Sequence, residues 1–528
     1  MSDFGEILRA IGEFGTFQKL ILFALTLPNM ILCFHFASVY FVQSDPERHC
    51  NTDWILRADP NLSPGEQLNL TVPREQDGSF SRCRMFVPVD WSISEIRRRG
   101  LRETTECVSG WLYHSSLYTS TIVTDFDLVC SRAYLLQVAQ TVLMAGILIG
   151  CLLFGPFAES FGRKRATQIP VVVLLVFTAT TGLCHNLHLY YASQFMVGMG
   201  YGGYRVNAVV LATEWIGVSR RSWGACVTQV FNAIGQCVLA GLIYMIRDWR
   251  LAQLLTVAPL SVVVIYIWFV PESARWLLYR GRTEEAKVLL ARVATINKRP
   301  FPEALLTKIS VKDQVQESRT TVFFRSSVLR RNLLVITFAW FSGSLTYYCL
   351  SFNMGNFGLN IFLTQLIFGL TELPVHILGI WLLEAVGRKM SLMGTLLTAG
   401  FLCFMMLPVV GQSVVITLLA TSGRFLTNWA GSVCNVYIQE LFPTSIRQTA
   451  SGLGSIVSRI GGTLSPVVNM MALYHWSVPI VCYSGMAVVS GALCFLLPET
   501  RRLELPDSTE EAECISEKPT LQSRSTSA

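Results

Sequence analysis

The chain has 528 residues, which is long enough for several soluble domains. Its composition argues against that organisation, because 52% of the residues are hydrophobic, only 15% are charged and the mean hydropathy is +0.45. Ordinary globular domains contain about 25% charged residues, so this chain lacks the polar groups that a water-facing surface needs. A soluble enzyme, a nucleic-acid-binding protein and a disordered scaffold are therefore disfavoured, and a polytopic membrane protein is indicated. The net charge of +7 then concerns loop orientation rather than affinity for nucleic acid.

About twelve segments are apolar and long enough to cross a bilayer, since a spanning helix needs about 20 mostly apolar residues. In the first half of the chain they lie near 20–42, 136–158, 167–187, 189–212, 224–246 and 250–270. In the second half they lie near 332–352, 358–386, 390–410, 413–437, 448–472 and 476–497. The start of the chain lacks the basic stretch of a cleavable signal peptide, so we expect 20–42 to be a retained first span. The glycines between Gly198 and Gly203 predict close helix contacts within lipid.

Basic residues in the short loops predict the orientation, because loops rich in Lys and Arg stay in the cytosol. Three basic clusters fall on one side: Arg163-Lys164-Arg165, Arg220-Arg221 and Arg388-Lys389. The opposite short loops carry only Arg247 and Arg250. We therefore expect a multi-pass plasma-membrane protein with both termini in the cytosol. The expected parts are a cytosolic N-terminus (1–19), a six-helix bundle (20–270) that includes an outer loop (about 43–133), a cytosolic connection (271–331), a second six-helix bundle (332–497) and a cytosolic, disordered tail (498–528).

The outer loop has the features of a segment that folds outside the cell. It contains four cysteines, Cys50, Cys83, Cys107 and Cys130. In an oxidising compartment they predict two disulfides, and the sequence leaves three pairings open. The loop also contains two N-x-S/T acceptors, Asn61 and Asn69, although each alone could arise by chance. We expect this loop to be disulfide-bonded and glycosylated.

Three motifs recur in the same order at a nearly constant interval. Gly162-Arg163-Lys164 returns as Gly387-Arg388-Lys389, the pair Glu214/Arg221 returns as Glu440/Arg447, and Pro271-Glu272-Ser273 returns as Pro498-Glu499-Thr500. Such an internal repeat predicts two halves of like topology, as in the major facilitator fold. The expected fold class is therefore an all-α integral membrane protein with twelve helices in two pseudo-symmetric bundles. Rocking of one half against the other around a midplane site is the motion that this fold predicts.

The repeated charges predict a conformational latch on the cytosolic side. In the first half it would comprise Gly155, Glu159, Gly162, Arg163 and Lys164, where glycines allow a tight turn and the carboxylate meets an arginine or a helix N-terminus. The same charged network would include Glu214, Arg221, Gly387, Arg388, Glu440 and Arg447. We expect it to hold the halves together and to break in one conformational state. The alternative is that these residues only anchor the topology.

Several motifs in combination resemble the organic ion transporters of solute carrier family 22. They are the Cys-bearing outer loop, Gly155–Lys164, Pro271-Glu-Ser-Ala-Arg-Trp276, Glu372-Leu-Pro374, Glu440-Leu-Phe-Pro-Thr444 and Pro498-Glu-Thr500. The similarity extends from about Phe14 to Arg501 and is greatest to the organic anion branch, near the urate/nicotinate-type transporter. The resemblance implies secondary transport of small organic ions, often by exchange, and no enzymatic activity. No Walker A loop is present in the sequence, and we expect no cofactor and no metal site.

Arg459 in the eleventh span is the main candidate for substrate binding. An intramembrane charge is costly and usually faces a cavity, and a guanidinium can bind a carboxylate with bidentate geometry. The resemblance implies an arginine here in anion transporters and an acid in cation transporters. The alternative is a permanent salt bridge to Glu440 or Glu372.

Three further basic residues lie in the spans. His376 follows Glu372 by one helical turn, where anion-transporting relatives tend to carry Lys or Arg, so it could make anion attraction depend on pH or simply bond a helix neighbour. The family often has arginine where this chain has Gln194, and Arg205, further along the same helical stripe, could replace that charge. We expect Arg424 to be a structural partner of acids rather than a ligand.

Aromatic and amide side chains are expected to complete the site. The resemblance implies that Tyr347 and Tyr348 of the seventh span help to line the cavity. Together with Phe341 they could stack on a flat substrate ring, although aromatics at helical spacing often serve only packing. Gln236 of the fifth span is a further polar candidate.

These observations predict a secondary transporter of small organic anions, such as aromatic or aliphatic carboxylates, that works by alternating access and exchanges a counter-anion. One alternative is a carrier of organic cations or zwitterions of the carnitine type. Another is a membrane scaffold that has lost transport, which the departure at Gln194 raises.

Overall fold

The computed structural model describes residues 2–35, 46–75, 78–114, 119–217, 221–301, 326–357, 359–409, 411–442 and 446–500. In chain order the helices are α1 (Ser2–Ile11), α2 (Thr16–His35), α3 (Pro64–Thr71), α4 (Ile93–Arg99), α5 (Ile122–Asp125), α6 (Tyr134–Phe161), α7 (Arg163–Leu183), α8 (Leu187–Trp215), α9 (Arg221–Met245), α10 (Trp249–Ile267), α11 (Ala274–Tyr279), α12 (Thr283–Ile296), α13 (Ser327–Phe352), α14 (Ile361–Val386), α15 (Arg388–Phe404), α16 (Ser413–Leu441), α17 (Arg447–Met470) and α18 (Ser477–Leu493). The strands are β1 (Glu47–Cys50), β2 (Arg84–Phe86), β3 (Thr104–Glu106) and β4 (Trp111–His114).

Twelve long helices within the described residues form the two halves of the molecule. The first half contains α2 and α6–α10, and the second contains α13–α18. Eight helices in the described part are long and apolar enough to cross a membrane by length and composition. Several carry an internal proline, such as Pro156 in α6 and Pro374 in α14, which membrane helices tolerate. The all-α, two-bundle fold class predicted from the sequence is confirmed.

The first half is held together by close helix packing along α8. A Cβ on Gly200 of α8 would lie 2.8 Å from the carbonyl oxygen of Pro170 on α7. Gly198 and Gly202 face the backbone of α6 in the same way. Because only glycine permits such approaches, the contacts predicted from the glycine-rich stretch are confirmed.

The two halves meet along two helix pairs, α9 with α14 and α6 with α17. At the first pair, a Cβ on Gly369 would lie 2.7 Å from Sγ of Cys237. At the second, Oγ1 of Thr463 donates a hydrogen bond of 3.4 Å to the carbonyl oxygen of Met144. These two helix pairs form contacts between the two halves of the molecule.

The two ends of the bundle differ in what covers them. At one end, Asn297 after α12 donates to the carbonyl oxygen of Ile11 (3.0 Å) and to Oε1 of Gln18 (2.8 Å), which ties the connection between the halves to the start of the chain. We call this the connection side. Residues 501–528 of the predicted tail and residues 302–325 of the connection lie outside the described residues, whereas residues 498–500 are described.

The opposite end, the loop side, carries the small fold formed by the outer loop. Two antiparallel pairs, β1–β4 and β2–β3, surround a core of Ile55, Leu62 and Ile96. The structure joins Cys50 to Cys107 and Cys83 to Cys130. The loop is attached to the bundle by Asp125, whose Oδ2 accepts hydrogen bonds from the Trp249 indole (3.1 Å) and the Arg250 guanidinium (3.0 Å).

Candidate functional site

A cavity of about 560 Å³ lies between the two halves. Both halves supply its walls, through α6, α8 and α9 on one side and α13, α14, α16 and α17 on the other. The lining residues on α16 run from Thr427 to Gln439, and those on α17 run from Ser451 to Gly462. The cavity therefore extends from the middle of the bundle toward the connection side, where α16 ends and α17 begins.

Arg459 of α17 lines this cavity and is half-buried. Within the part of the chain that the structure describes, its guanidinium makes no hydrogen bond and no ion pair. Both acids considered as its permanent partner are engaged elsewhere, since Glu440 is paired with Arg388 and Glu372 with Arg424. Arg459 thus presents an uncompensated positive charge to the cavity.

Glu372 and Arg424 form a buried polar network with two neighbours. Their side chains are 3% and 4% exposed and lie 2.7 Å apart. The Tyr347 hydroxyl donates to one carboxylate oxygen of Glu372 at 2.6 Å and accepts from Arg424 at 2.7 Å. The Gln236 amide donates to the other oxygen at 2.6 Å and accepts from Arg424 at 3.2 Å. Gln236 lies on α9 of the first half, so the network joins the two halves. Arg424 is paired with an acid, which is the structural role expected for it.

Arg205 of α8 brings a second guanidinium to the cavity, from the first half. It donates to the hydroxyl of Tyr201 at 3.0 Å and to Oε1 of Gln229 at 3.4 Å, both of which are neutral. Arg205 lines the large cavity and also a smaller one that it shares with Gln236 and Arg424. The cavity walls therefore combine two guanidiniums, one from each half, that have no carboxylate partner among the residues that the structure describes.

The aromatic candidates are placed differently from one another. Tyr347 and Tyr348 line the cavity, with ring centroids 5.1 Å apart in an edge-to-face arrangement. Phe341 does not line either cavity, and it packs beside Phe338 with centroids 6.4 Å apart. The neighbouring Trp340 lines the cavity in its place. The backbone of His376 lies in α14, but its side chain lies outside the described residues.

The repeated charges form the same ion pair in each half. Arg163 at the start of α7 lies 3.4 Å from Glu214 at the end of α8. Arg388 at the start of α15 lies 2.9 Å from Glu440 at the end of α16. Each of these two pairs joins two helices of one half and does not join the halves in this conformation. The predicted latch was expected to break in one state, so its closed form stays a prediction. Arg447 was expected to belong to the same charged network, and its Nε donates a hydrogen bond of 3.2 Å to the carbonyl oxygen of Phe442.

Other members of the predicted latch have different positions. The Glu159 side chain is exposed, and it is the backbone carbonyl of this residue that accepts a hydrogen bond, from the Trp276 indole at 2.9 Å. Gly155 lies inside α6 with open space around it, whereas Gly162 and Gly387 form the predicted turns with φ of 106° and 98°. The side chain of Arg221 lies outside the described residues.

Glu272 and Glu499 cap two helices, a role that the sequence analysis did not assign to them. Glu272 accepts a hydrogen bond of 3.0 Å from the backbone N–H of Lys164 at the start of α7. Glu499 accepts bonds of 3.0 and 3.1 Å from the backbone N–H groups of Arg388 and Lys389 at the start of α15. A carboxylate at a helix N-terminus is favourable, so the Pro-Glu-Ser and Pro-Glu-Thr motifs cap equivalent helices. The repetition of these motifs in the sequence indicated that they matter, but it did not show which helices they cap.

Comparison with known proteins decides the family. Residues 104–511 match the family described as sugar (and other) transporter. Solute carrier family 22 member 13 of Homo sapiens is 38% identical over 516 residues, which cover 97% of this chain and 94% of that protein. Solute carrier family 22 member 14 of Homo sapiens is 32% identical over 532 residues, covering 98% and 89%. The chain belongs to solute carrier family 22.

The fold agrees with this assignment. The inward open conformation of the xylose transporter XylE from E. coli superimposes with a TM-score of 0.61 at 16% identity, covering 94% of this chain and 99% of that structure. The major facilitator fold predicted from the internal repeat is therefore confirmed. As a member of solute carrier family 22, the chain is a multi-pass membrane protein and a secondary transporter, not an enzyme.

Proposed function

We propose that this transporter moves small organic anions across the plasma membrane by alternating access, exchanging one anion for another, with both termini in the cytosol. The observation that carries the proposal is the guanidinium of Arg459, which lines the cavity between the halves while both nearby acid candidates are paired with other arginines. A buried charge without a partner is costly, so a carboxylate that enters the cavity gains by neutralising it.

The second guanidinium supports the same substrate charge. Arg205 belongs to the first half and Arg459 to the second, and Glu372, the one acid that the described residues place on the cavity wall, is neutralised by Arg424. The wall therefore carries a net positive charge, which argues for anions over organic cations or zwitterions of the carnitine type. An anion held between the two arginines would also draw the halves toward each other, which is what alternating access requires.

The aromatic side chains favour flat substrates. Trp340, Tyr347 and Tyr348 lie on the same cavity wall, so an aromatic ring can stack on them while its carboxylate reaches Arg459. Aromatic carboxylates and urate- or nicotinate-like anions fit this combination, and aliphatic carboxylates would use the arginines alone.

Because the cavity extends to the connection side, we infer that this conformation faces the cytosol. Opening to the outside would separate α9 from α14, which would break the contacts of Gln236 with Glu372 and Arg424. It would also bring the connection-side ends together, where the ion pairs of Arg163 and Arg388 lie. The latch between the halves is proposed for that state.

Counterflow in reconstituted vesicles tests the proposal. We expect nicotinate inside the vesicles to accelerate uptake of labelled nicotinate or urate from outside. Tetraethylammonium should be neither taken up nor able to stimulate uptake. Uptake of the quaternary ammonium would instead favour the cation carrier, and the absence of trans-stimulation by every solute would favour a scaffold without transport.

A further inference from the structure

Two histidines of the outer loop lie against each other across the strand pair β1–β4. Nδ1 of His49 and Nε2 of His114 are 3.2 Å apart, and the ring centroids are 4.9 Å apart. His49 lies next to Cys50, whose disulfide to Cys107 holds this part of the loop. The pair is far from the transport cavity in the fold, and neither histidine is needed for the function proposed above.

The strand register places a carboxylate on the same face. Glu47 lies opposite His114 and two residues before His49, while His49 lies opposite Leu112. Side chains two residues apart on a strand, and those directly opposite on its partner, share one face of the pair. Glu47, His49 and His114 therefore share a face, and Glu47 is exposed. Among the described residues, no three potential metal ligands are grouped together, so the Glu47 carboxylate would have to turn toward the two nitrogens to bind with them.

We propose that Glu47, His49 and His114 form a binding site for a divalent transition metal of the Zn²⁺ type. Two imidazole nitrogens bound to one tetrahedral zinc ion at about 2.0–2.1 Å are about 3.3 Å apart, close to the separation that the structure has. A carboxylate and a water complete a His₂Glu set, which zinc accepts. Imidazole also binds copper and nickel, so the geometry indicates divalent transition metals as a class rather than one particular metal.

The surroundings of His49 favour its neutral imidazole. The pKa of His49 is lowered, first because burial penalises the charged imidazole and then because His114 is close. The neutral form, which is the metal ligand, is thereby favoured. Glu47 is the charged group on the face of the pair, whereas Arg48 of β1 and Tyr113 of β4 lie on the opposite face, where Tyr113 donates a hydrogen bond of 2.9 Å to Asp127.

Titration of the purified full chain with ZnCl₂ tests the site. At pH 7.5 we expect isothermal titration calorimetry to give saturable binding of one Zn²⁺ per chain and the melting temperature to rise with Zn²⁺. His49→Gln and His114→Gln should each weaken the binding at least tenfold, Glu47→Gln should weaken it less, and pH 5.5 should weaken it in the parent. The matched control is the double variant His185→Gln/His188→Gln, which removes an exposed histidine before α8 and another in its first turn, and should bind as the parent does.

Three outcomes would overturn the proposal. The first is no saturable binding to a parent chain that elutes as a single folded species, which would leave the pair as a hydrogen bond only. The second is unchanged affinity in both His49→Gln and His114→Gln. The third is loss of binding in the His185/His188 control alone, which would locate the metal elsewhere.

Discussion

The guanidinium of Arg424 lies 2.7 Å from the carboxylate of Glu372, and both side chains are at most 4% exposed. In such a pair each charge neutralises the other. We therefore expect that Glu372 does not attract cations and that Arg424 does not attract anions. Arg459 lines the large cavity between the halves and has no such partner among the described residues. The contrast between these two arginines is the basis of the proposed anion selectivity.

Breaking the Arg424–Glu372 pair should destabilise the protein. Glu372→Gln or Arg424→Gln leaves one buried charge without its partner, which costs about 3–5 kcal/mol. The double variant leaves two neutral groups that still bond Tyr347 and Gln236, so it should lose less than the sum of the single losses. The melting temperatures of the four purified proteins measure this. Additive losses in the double variant would show that the two charges do not depend on each other.

The turns at Gly162 and Gly387 should not tolerate a side chain. Their φ values of 106° and 98° are accessible mainly to glycine, and a Cβ on Gly387 would lie 2.8 Å from the capping carboxylate of Glu499. Gly162→Ala and Gly387→Ala should each cost about 1–3 kcal/mol. Gly155→Ala is the control, because this helical glycine has open space around it and alanine should gain up to about 1 kcal/mol there. Thermal stability and surface expression that fall equally in all three variants would contradict the turn geometry.

The cap formed by Glu272 should make stability depend on pH. Burial raises the pKa of Glu272 above 4.5, although the backbone N–H groups of Ser273 and Lys164 act in the opposite direction. A carboxyl whose pKa is higher in the folded chain binds its proton more tightly when folded. Its contribution to stability is therefore present at low pH and is lost as pH rises from the pKa of the unfolded chain through that of the folded chain. As the pH is lowered from 7 toward 5, the parent should therefore gain melting temperature relative to Glu272→Gln. A parent that loses stability relative to this variant over the same range would contradict the raised pKa.

Glycosylation should report the orientation of the outer loop, with Asn61 as the main acceptor. Asn61 is exposed in a turn before α3, whereas the Asn69 amide lies within α3 and bonds Gly65 and Arg74. Asn61→Gln should remove most of the mobility shift caused by peptide N-glycosidase, and Asn69→Gln should remove little. Absence of any glycan on protein from mammalian cells would argue against an extracellular loop.

The sequence was sufficient for the architecture because repetition and hydropathy are local signals. The recurrence of Gly162-Arg163-Lys164 predicted two halves, and apolar length predicted helices close to those of the structure. It also predicted that Arg424 pairs with an acid, since a buried guanidinium on a span needs one. The metal-ligating potential of His49 and His114 was missed, because it exists only through the pairing of β1 with β4.

The partners of the repeated charges could not be predicted, because helix ends that meet in space are far apart in the chain. Glu214 pairs with Arg163 and Glu440 with Arg388, each across two helices, and the sequence analysis did not name these partners. The carboxylate at the start of α7 likewise comes from Glu272, which follows α10, rather than from Glu159 nearby. Among the aromatic candidates, the sequence analysis named Phe341 and not its neighbour Trp340, because the sequence does not show which of the two faces the cavity from α13.

Anion uptake by Arg459→Gln tests the central claim most directly. The variant is compared with the parent and with Arg292→Gln, which removes an exposed arginine from α12, at equal surface expression. The account predicts that Arg459→Gln loses at least tenfold in the initial rate of nicotinate or urate uptake, that Arg459→Lys retains part of it, and that Arg292→Gln is unchanged. Uptake by Arg459→Gln at the rate of the parent would contradict the account, because the free guanidinium would then not bind the transported anion.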